Sequence, residues 1–189
     1  MFLEPRAKTG WIEVICGSMF SGKTEELIRR LKRAQIAHQS LRIFKPAIDV
    51  RYDSQKIVSH DANAIQSIPL QNAAEILPLA EGIDVVGIDE AQFFGLELLD
   101  VCEELAVKGT RVIVAGLDMD YLGKPFGPIP HLLATAEYLT KLHAICVRCG
   151  HLATHSYRLK PEKAKIVLGE KDLYEARCRI CYHAGEKSK

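Results

Sequence analysis

One short segment limits the possible folds of this 189-residue chain more strongly than any other. It fits the pattern G-x-x-x-x-G-K-[ST], and its residues are Gly17, Ser18, Met19, Phe20, Ser21, Gly22, Lys23 and Thr24. Such a loop turns so that backbone N–H groups converge on phosphate oxygens, while its lysine and threonine supply a cation and a magnesium ligand. An apolar segment precedes the loop and an amphipathic one follows it, as this motif requires. We therefore predict a nucleotide-binding loop, with a chance glycine turn as the alternative.

Strand and helix patterns alternate along the chain. The apolar, β-branched segments predict strands at Trp11–Cys16, Leu41–Lys45, Ile83–Ile88 and Arg111–Ala115. Helical periodicity predicts helices at Thr24–Ala37 and Leu96–Val107. This alternation is typical of an α/β fold with a mainly parallel sheet. The composition changes near Ile145, where cysteines and basic residues replace the β-branched segments, so we place the boundary of a small subdomain there.

Two adjacent acids, Asp89 and Glu90, end one of the apolar segments. Ligands of open α/β sheets bind at the carboxyl ends of the strands. Asp89 suits the binding of Mg²⁺, and Glu90 is suited to accept a proton from a nucleophile. The same pair could activate water in an ATPase, or could simply be a solvated strand end. The pair therefore supports a phosphate site without choosing between a kinase and an ATPase.

The six cysteines fall into two groups. Cys16 and Cys102 stand alone in apolar segments and are predicted to lie in the core. The other four form two Cys-x-x-Cys pairs, a pattern that predicts a closed, structural Zn²⁺ site in a reducing compartment, and they are Cys146, Cys149, Cys178 and Cys181. Unligated thiols or a redox pair are the alternatives, and His183 could replace one cysteine. One zinc ion bound by both pairs would fix the two ends of the segment between them, which would then be a loop suited to closing over a substrate.

Composition excludes some classes of function. The formal net charge is +1, which argues against broad, charge-driven binding to nucleic acid or to an anionic membrane. No segment approaches the roughly 20 apolar residues that span a bilayer, and Met1–Trp11 lacks the apolar region of a signal peptide. We therefore expect a cytoplasmic protein with neither nucleic acid nor membrane as a partner.

Taken together and in order, the motifs resemble those of the thymidine kinase family of the cellular, zinc-containing type. The resemblance covers about residues 11–183 and rests on the phosphate loop, the two Cys-x-x-Cys pairs and four further segments, at 49–52, 88–94, 116–121 and 124–127. It implies a RecA-like P-loop core with a zinc-held lasso loop. The corresponding divisions are an N-terminal extension at 1–10, the core at 11–144 and a zinc-binding lasso subdomain at 145–189.

The resemblance also implies an activity. Members transfer the γ-phosphate of Mg-ATP to the 5′-hydroxyl of thymidine, and less well of deoxyuridine, in DNA-precursor salvage. Inhibition by dTTP and a homotetramer are further family expectations. By position, Glu90 matches the catalytic base. The residues matching the ATP, phosphate and Mg²⁺ contacts are the whole loop from Gly17 to Thr24 with Asp49, Val50, Arg51, Asp89 and Gln92. Those matching the nucleoside site are Met19, Phe93, Leu117, Tyr121, Phe126, Tyr174 and the lasso segment Lys165, Ile166, Val167, Leu168 and Gly169.

The chain departs from the family pattern at one place, and three other classes of protein have to be compared with it. The family commonly has Phe-Arg where this chain has Tyr121-Leu122, so the ring is kept and a cation is lost. A P-loop ATPase or motor would need an arginine finger or a nucleic-acid surface, and neither is evident. A GTPase would need a base-reading motif, which 140–143 lacks. A zinc ribbon that binds nucleic acid fits poorly with intact Lys23 and Thr24 and a near-neutral charge.

Overall fold

The computed structural model of the protein describes residues 9–47, 66–159 and 173–186. These residues form an α/β core followed by a small C-terminal subdomain. Among them, no helix combines the length and apolar character needed to cross a bilayer. The site residues predicted at Asp49, Val50 and Arg51 and at 165–169 lie outside the described residues.

The core is built on a six-stranded parallel sheet with the order β3-β2-β4-β5-β1-β6. All of its strand pairs are parallel, which confirms the predicted α/β class. The strands are β1 (Trp11–Gly17), β2 (Leu41–Pro46), β3 (Ser67–Leu70), β4 (Val85–Ile88), β5 (Arg111–Gly116) and β6 (Tyr138–Leu142). Because β1 and β4 both flank β5, the loops after these three strands meet at one edge of the sheet. The four predicted strands are all present, whereas β3 and β6 were not predicted.

Helices cover both faces of the sheet. They are α1 (Lys23–Ile36), α2 (Ile76–Leu79), α3 (Leu98–Val107) and α4 (Ile129–Thr135). Alternation along β1 explains how both faces become apolar: Ile15 packs with α1, whereas Ile12 and Val14 pack with α3 and α4 on the opposite face. The predicted helix at 24–37 is confirmed to within a residue, and the predicted helix at 96–107 begins two residues late, at Leu98. Cys16 and Cys102 are buried as predicted.

A buried carboxylate joins the sheet to α1. Glu13 in β1 is 6% exposed. Its carboxylate accepts hydrogen bonds from Trp11 Nε1 at 2.7 Å, Arg30 Nη1 at 2.7 Å and Arg111 Nε at 2.6 Å. Burial alone would raise the pKa of Glu13, but the hydrogen bonds and the charge of Arg111 outweigh burial and hold the pKa below its ordinary value. A charge this far from solvent is tolerated because each oxygen has cationic partners.

The C-terminal subdomain contains two small antiparallel sheets and one helix. The strands are β7 (Ala144–Ile145), β8 (Leu152–Ala153), β9 (His155–Arg158) and β10 (Tyr174–Arg177), and the helix is α5 (Arg179–Glu186). β7 pairs with β8, and β9 pairs with β10. The apolar cluster beside the cysteines is small, with Ala144, Cys146, Ala153 and Ala176 at its centre. Side chains of this size bury little apolar surface, so this part of the subdomain needs a further source of stability.

Candidate active site

The phosphate-loop segment connects β1 to α1 and depends on its two glycines. Gly17 has φ +148° and Gly22 has φ +84°, conformations that residues with a Cβ rarely adopt. A Cβ on Gly17 would also lie 2.3 Å from the carbonyl oxygen of Leu142. The loop therefore leads from β1 directly into α1, where the first backbone N–H groups of a helix have no intrahelical acceptor. A helix start of this kind is suited to bind an anion.

Two side chains brace the loop from within. Lys23 Nζ donates to the carbonyl oxygen of Ser18 at 2.9 Å, and Ser21 Oγ donates to the same oxygen at 2.8 Å. Burial lowers the pKa of the Lys23 ammonium, while the negative charges of nearby carboxylates, those of Glu90 and Asp89 first, act in the opposite direction. The lysine is therefore held inside the loop, as contact with phosphates requires.

Asp89 lies beside Thr24, at the carboxyl end of β4. Thr24 Oγ1 donates to Asp89 Oδ2 at 3.1 Å, and Asp89 is only 6% exposed. Burial, followed by the charge of Glu90, raises the pKa of Asp89 to about 7. A hydroxyl and a carboxylate oxygen in contact are the hard oxygen ligands that suit Mg²⁺. The two residues fit a magnesium ion that arrives with a nucleotide.

Glu90 is presented differently from its neighbour. Its backbone has φ +50°, an uncommon conformation for a residue with a side chain, and its side chain is exposed. Gln92 Nε2 donates to Glu90 Oε2 at 2.5 Å, and Gln92 Oε1 accepts a hydrogen bond from the Leu117 N–H at 2.9 Å. The other carboxylate oxygen, Oε1, accepts no hydrogen bond from a described residue. Glu90 is therefore an oriented carboxylate with one oxygen open to the solvent side.

A third acid, Asp118, lies at the same edge of the sheet, two residues after the end of β5. Asp118 is 6% exposed, and its Oδ2 lies 2.7 Å from Lys141 Nζ. Its Oδ1 is buried without a hydrogen-bond partner among the described residues. The sequence interpretation included Asp118 within a family motif but gave it no role. Its position after a buried strand, like that of Asp89, was the signal that could have found it.

The residues predicted for the nucleoside site fall into two described groups. Phe93 and Phe126 form an edge-to-face pair with ring centroids 5.5 Å apart. Gly127, next to Phe126, packs on the backbone carbonyl of Gln92, next to Phe93. Tyr121 and Tyr174 meet through Arg158, whose Cζ lies 3.5 Å from the Tyr121 ring centroid and 5.5 Å from that of Tyr174. Leu117 is linked to the first group through its N–H bond to Gln92.

Met19 joins the phosphate loop to the C-terminal subdomain. Its N–H donates to Ser156 Oγ at 3.0 Å, and Ser18 Oγ donates to the Ala153 carbonyl at 3.4 Å. Sequence reasoning missed Ser156 and Arg158 because it treated 150–177 as one loop. The segment His155–Arg158 lacks the apolar alternation that marks a strand in sequence.

The four paired cysteines come together as predicted. The Sγ atoms of Cys146, Cys149, Cys178 and Cys181 all lie within 4.8 Å of one another, and none is in a disulfide. Tetrahedral zinc with Zn–S bonds of about 2.3 Å would separate its sulfurs by about 3.8 Å, so the donor set fits this ion. His151 Nδ1 lies 3.3 Å from Cys149 Sγ. His183 is not among the clustered ligands, so the described site is of the four-cysteine kind.

Comparison with known proteins identifies the family. The family model described as thymidine kinase matches residues 10–182. A thymidine kinase of Rhodothermus sp. (strain ITI 518) is 59% identical over 182 residues, covering 96% of this chain and 85% of that protein. Thymidine kinases of Bacteroides fragilis (strain YCH46) and Porphyromonas gingivalis (strain ATCC 33277) are each 57% identical, over 95% and 93% of this chain and 90% and 86% of their own lengths. With its phosphate loop, paired acids and four-cysteine cluster, the chain belongs to the thymidine kinase family.

Proposed function

We propose that the protein transfers the γ-phosphate of ATP to the 5′-hydroxyl of thymidine, giving dTMP and ADP. The observation that carries this proposal is the meeting of Lys23, Thr24, Asp89 and Glu90 at one edge of the sheet. Membership of the thymidine kinase family supports the choice of nucleoside. Deoxyuridine, which lacks only the 5-methyl group, would be a poorer substrate, since one methyl in an apolar pocket is worth about 1 kcal/mol.

The phosphate loop is the proposed site of the β- and γ-phosphates. Loop N–H groups and Lys23 would contact the phosphate oxygens, and Mg²⁺ would bridge the phosphates near Thr24 and Asp89. The 3.1 Å contact between Thr24 and Asp89 supports this arrangement, because it places the two proposed ligands next to each other. Asp49, Val50 and Arg51 are proposed to complete the ATP site, with Arg51 stabilising charge on the transferred group.

Glu90 is proposed as the base that accepts the proton of the 5′-hydroxyl. Asp89 is less suited to this role because it is buried and its oxygens already accept hydrogen bonds from Thr24 and from the Glu90 N–H. Glu90 is exposed, and Gln92 holds one of its oxygens while leaving the other open. Fixed orientation of this kind brings the base to the hydroxyl without a search over rotamers.

The nucleoside is proposed to bind between the core and the C-terminal subdomain. The apolar and aromatic side chains proposed to contact it are Met19, Phe93, Leu117, Tyr121, Phe126 and Tyr174, and the backbone of 165–169 is proposed to hydrogen-bond the thymine edge. The link from Met19 to Ser156 supports this position, because it joins the two regions on either side of the proposed site.

Zinc is proposed to be structural, held by the four cysteines, and to fix the ends of the lasso segment. Four thiols grouped for a metal fit a reducing compartment such as the cytoplasm. Inhibition by dTTP and a homotetramer are also proposed. Tyr138 and Leu139 on the edge strand β6 are 60% and 55% exposed, which supports an assembly that covers them.

The test is ATP consumption by the zinc-containing protein with thymidine, deoxycytidine, deoxyadenosine or no nucleoside, with the products identified by mass. We expect ADP and dTMP to appear in equal amounts only when thymidine is present. ATP hydrolysis at the same rate with and without a nucleoside would overturn the proposal in favour of an ATPase. Equal rates with thymidine and deoxycytidine at matched low concentrations would overturn the assignment of the nucleoside site.

A further inference from the structure

The β9–β10 hairpin has two faces with different neighbours. In its antiparallel register Tyr174 is opposite Arg158, and Ala176 is opposite Ser156. Residues opposite each other project from the same face of the pair, and neighbours along a strand project from opposite faces. One face therefore carries Arg158, Ser156 and Tyr174, and the other carries Tyr157 and Arg177.

Side chains on the first face of the hairpin contact residues of the core. Ser156 accepts the Met19 N–H of the phosphate loop at 3.0 Å. Arg158 lies two residues after Ser156 in β9, and its guanidinium stacks on Tyr121, with Cζ 3.5 Å from the ring centroid. Both contacts reach residues proposed to line the nucleoside site. The alternation of the strand thus aims two polar side chains at that site.

Arg158 also holds the second tyrosine of this group. Its Nε and Nη2 donate to the Tyr174 hydroxyl at 3.2 and 2.9 Å, and the arginine is 4% exposed. A planar guanidinium can stack on one ring while its edge donates to a second, which lysine cannot do. One buried side chain therefore fixes the positions of two rings that come from distant parts of the chain.

The backbone of Tyr121 is anchored separately. Its carbonyl oxygen accepts a hydrogen bond from the Tyr182 hydroxyl of α5 at 2.8 Å. With the backbone held by α5, the remaining freedom of Tyr121 is rotation of its side chain, and the stacked guanidinium restricts that rotation. Loss of the stack would leave the segment in place but release the ring.

We propose that Arg158 is a positioning residue for nucleoside binding, which acts by fixing the Tyr121 and Tyr174 rings against a pyrimidine deoxynucleoside. This inference rests on the proposed function, because it assumes that the two rings contact the nucleoside. It requires no contact between Arg158 and the reacting phosphate. Loss of Arg158 should therefore weaken the binding of the nucleoside and leave the binding of ATP unchanged.

The test compares Arg158→Lys with Arg177→Lys. Arg177 is a matched control: it is 5% exposed, its Cζ lies 3.4 Å from the Tyr157 ring centroid, and it is on the other face of the same hairpin. We expect Arg158→Lys to raise the KM for thymidine about tenfold or more, with the KM for ATP within about twofold of the unmodified protein. Arg177→Lys should leave both values within about twofold.

Binding of thymidine by calorimetry, the thermal midpoint and the zinc content accompany the kinetics. Equal changes in the two variants, or a parallel rise in both KM values for Arg158→Lys, would overturn the proposal, since a general loss of hairpin stability predicts that result. An unchanged KM for thymidine in Arg158→Lys would overturn it as well. Failure of the unmodified protein to use thymidine would instead refute the proposed function, so the two failures are distinguishable.

Tyr174→Phe provides a second test that does not depend on the folding of the arginine variant. It keeps the ring and removes only the hydroxyl to which Arg158 donates. We expect a rise in the KM for thymidine in the same direction but smaller than that of Arg158→Lys, and no further rise when the two changes are combined. Independent, additive effects of the two changes would contradict a shared mechanism.

Discussion

The Met19 N–H of the phosphate loop donates a 3.0 Å hydrogen bond to Ser156 Oγ in β9. This contact makes the C-terminal subdomain part of the site rather than an appendage, because a strand of that subdomain supports the backbone of the loop. Ala153 accepts a second hydrogen bond, from the neighbouring Ser18 hydroxyl. Events that disturb the subdomain should therefore reach the phosphate site.

Removal of zinc provides the first prediction. The apolar cluster beside the four cysteines consists of small residues, so the fold of this part of the subdomain should depend on metal binding. We expect a strong chelator to lower the thermal midpoint and to reduce turnover at low thymidine concentration by about tenfold or more, with both restored by Zn²⁺ but not by Mg²⁺. Metal analysis and circular dichroism provide the measurements. Full activity and an unchanged midpoint in metal-free protein would contradict a structural zinc site.

Gly127 provides a prediction about the support of Glu90. It has φ +53°, and a Cβ there would lie 2.2 Å from the Gln92 carbonyl oxygen. Gly82 has φ +71° with open space around the Cβ position, so Gly82→Ala is the matched control. We expect Gly82→Ala to lower the free energy of unfolding by about 1–2 kcal/mol and Gly127→Ala by about 2 kcal/mol more.

Turnover distinguishes these two glycine variants further. Displacement of Gln92 would misplace the Glu90 carboxylate that it holds, so Gly127→Ala should also lower kcat, whereas Gly82→Ala should not. Chemical denaturation and steady-state kinetics make the comparison. Equal losses of stability in the two variants would show that the contact with Gln92 is not a constraint.

Glu13 makes stability depend on pH. Its pKa is below the ordinary value of 4.5 in the folded protein, so the unfolded chain binds the proton more readily. The stabilisation is therefore present above about pH 4.5 and is lost as the pH falls through the folded-state pKa. We expect Glu13→Gln to be less stable than the unmodified protein at pH 7, with the difference shrinking toward pH 3. A difference that stays constant over this range would contradict the ionised network with Arg30 and Arg111.

The contribution of Asp89 to the pH dependence of stability should have the opposite sign to that of Glu13. Burial raises its pKa to about 7, so ionisation opposes folding as the pH rises from the ordinary value of 3.8 through 7. We expect Asp89→Asn to be more stable than the unmodified protein at pH 8 in the absence of nucleotide, while its Mg²⁺-dependent turnover falls by at least about 10²-fold. Thermal midpoints across pH, with kinetics at saturating Mg²⁺, make the test. A variant less stable at pH 8 would contradict this sign.

The part of the fold that sequence predicts is the part determined by local pattern. β1, the loop and α1 follow from a glycine motif between an apolar segment and an amphipathic one, and they are found within a residue of the expected bounds. β6 was missed because it is an edge strand whose side chains are mostly exposed, so it lacks an apolar run. β3 contains Pro69, which is tolerated at the edge of a sheet but weakens the strand pattern.

The residues of the candidate site also differ in how they could be predicted. Motif and spacing alone led to the predictions for Lys23, Thr24, Asp89 and the four cysteines, and the clustering of the cysteines is confirmed. Resemblance to a family supplied the nucleoside-site residues, because no local pattern marks a Phe or Tyr as a ligand contact. Arg158 and Ser156 were missed because their importance lies in tertiary contacts with Tyr121 and Met19. Such contacts become visible only after the hairpin register is known.

A single-turnover comparison of Glu90→Gln with the unmodified protein tests whether Glu90 is the base that accepts the proton of the 5′-hydroxyl. Glutamine keeps the shape of the side chain and can still hydrogen-bond Gln92, but it cannot accept the proton of the 5′-hydroxyl. With enzyme in excess over thymidine and saturating Mg-ATP, we predict that dTMP forms at least about 10²-fold more slowly, while the affinity for ATP is retained. Formation of dTMP at a near-normal rate in Glu90→Gln would contradict the assignment of Glu90 as the base.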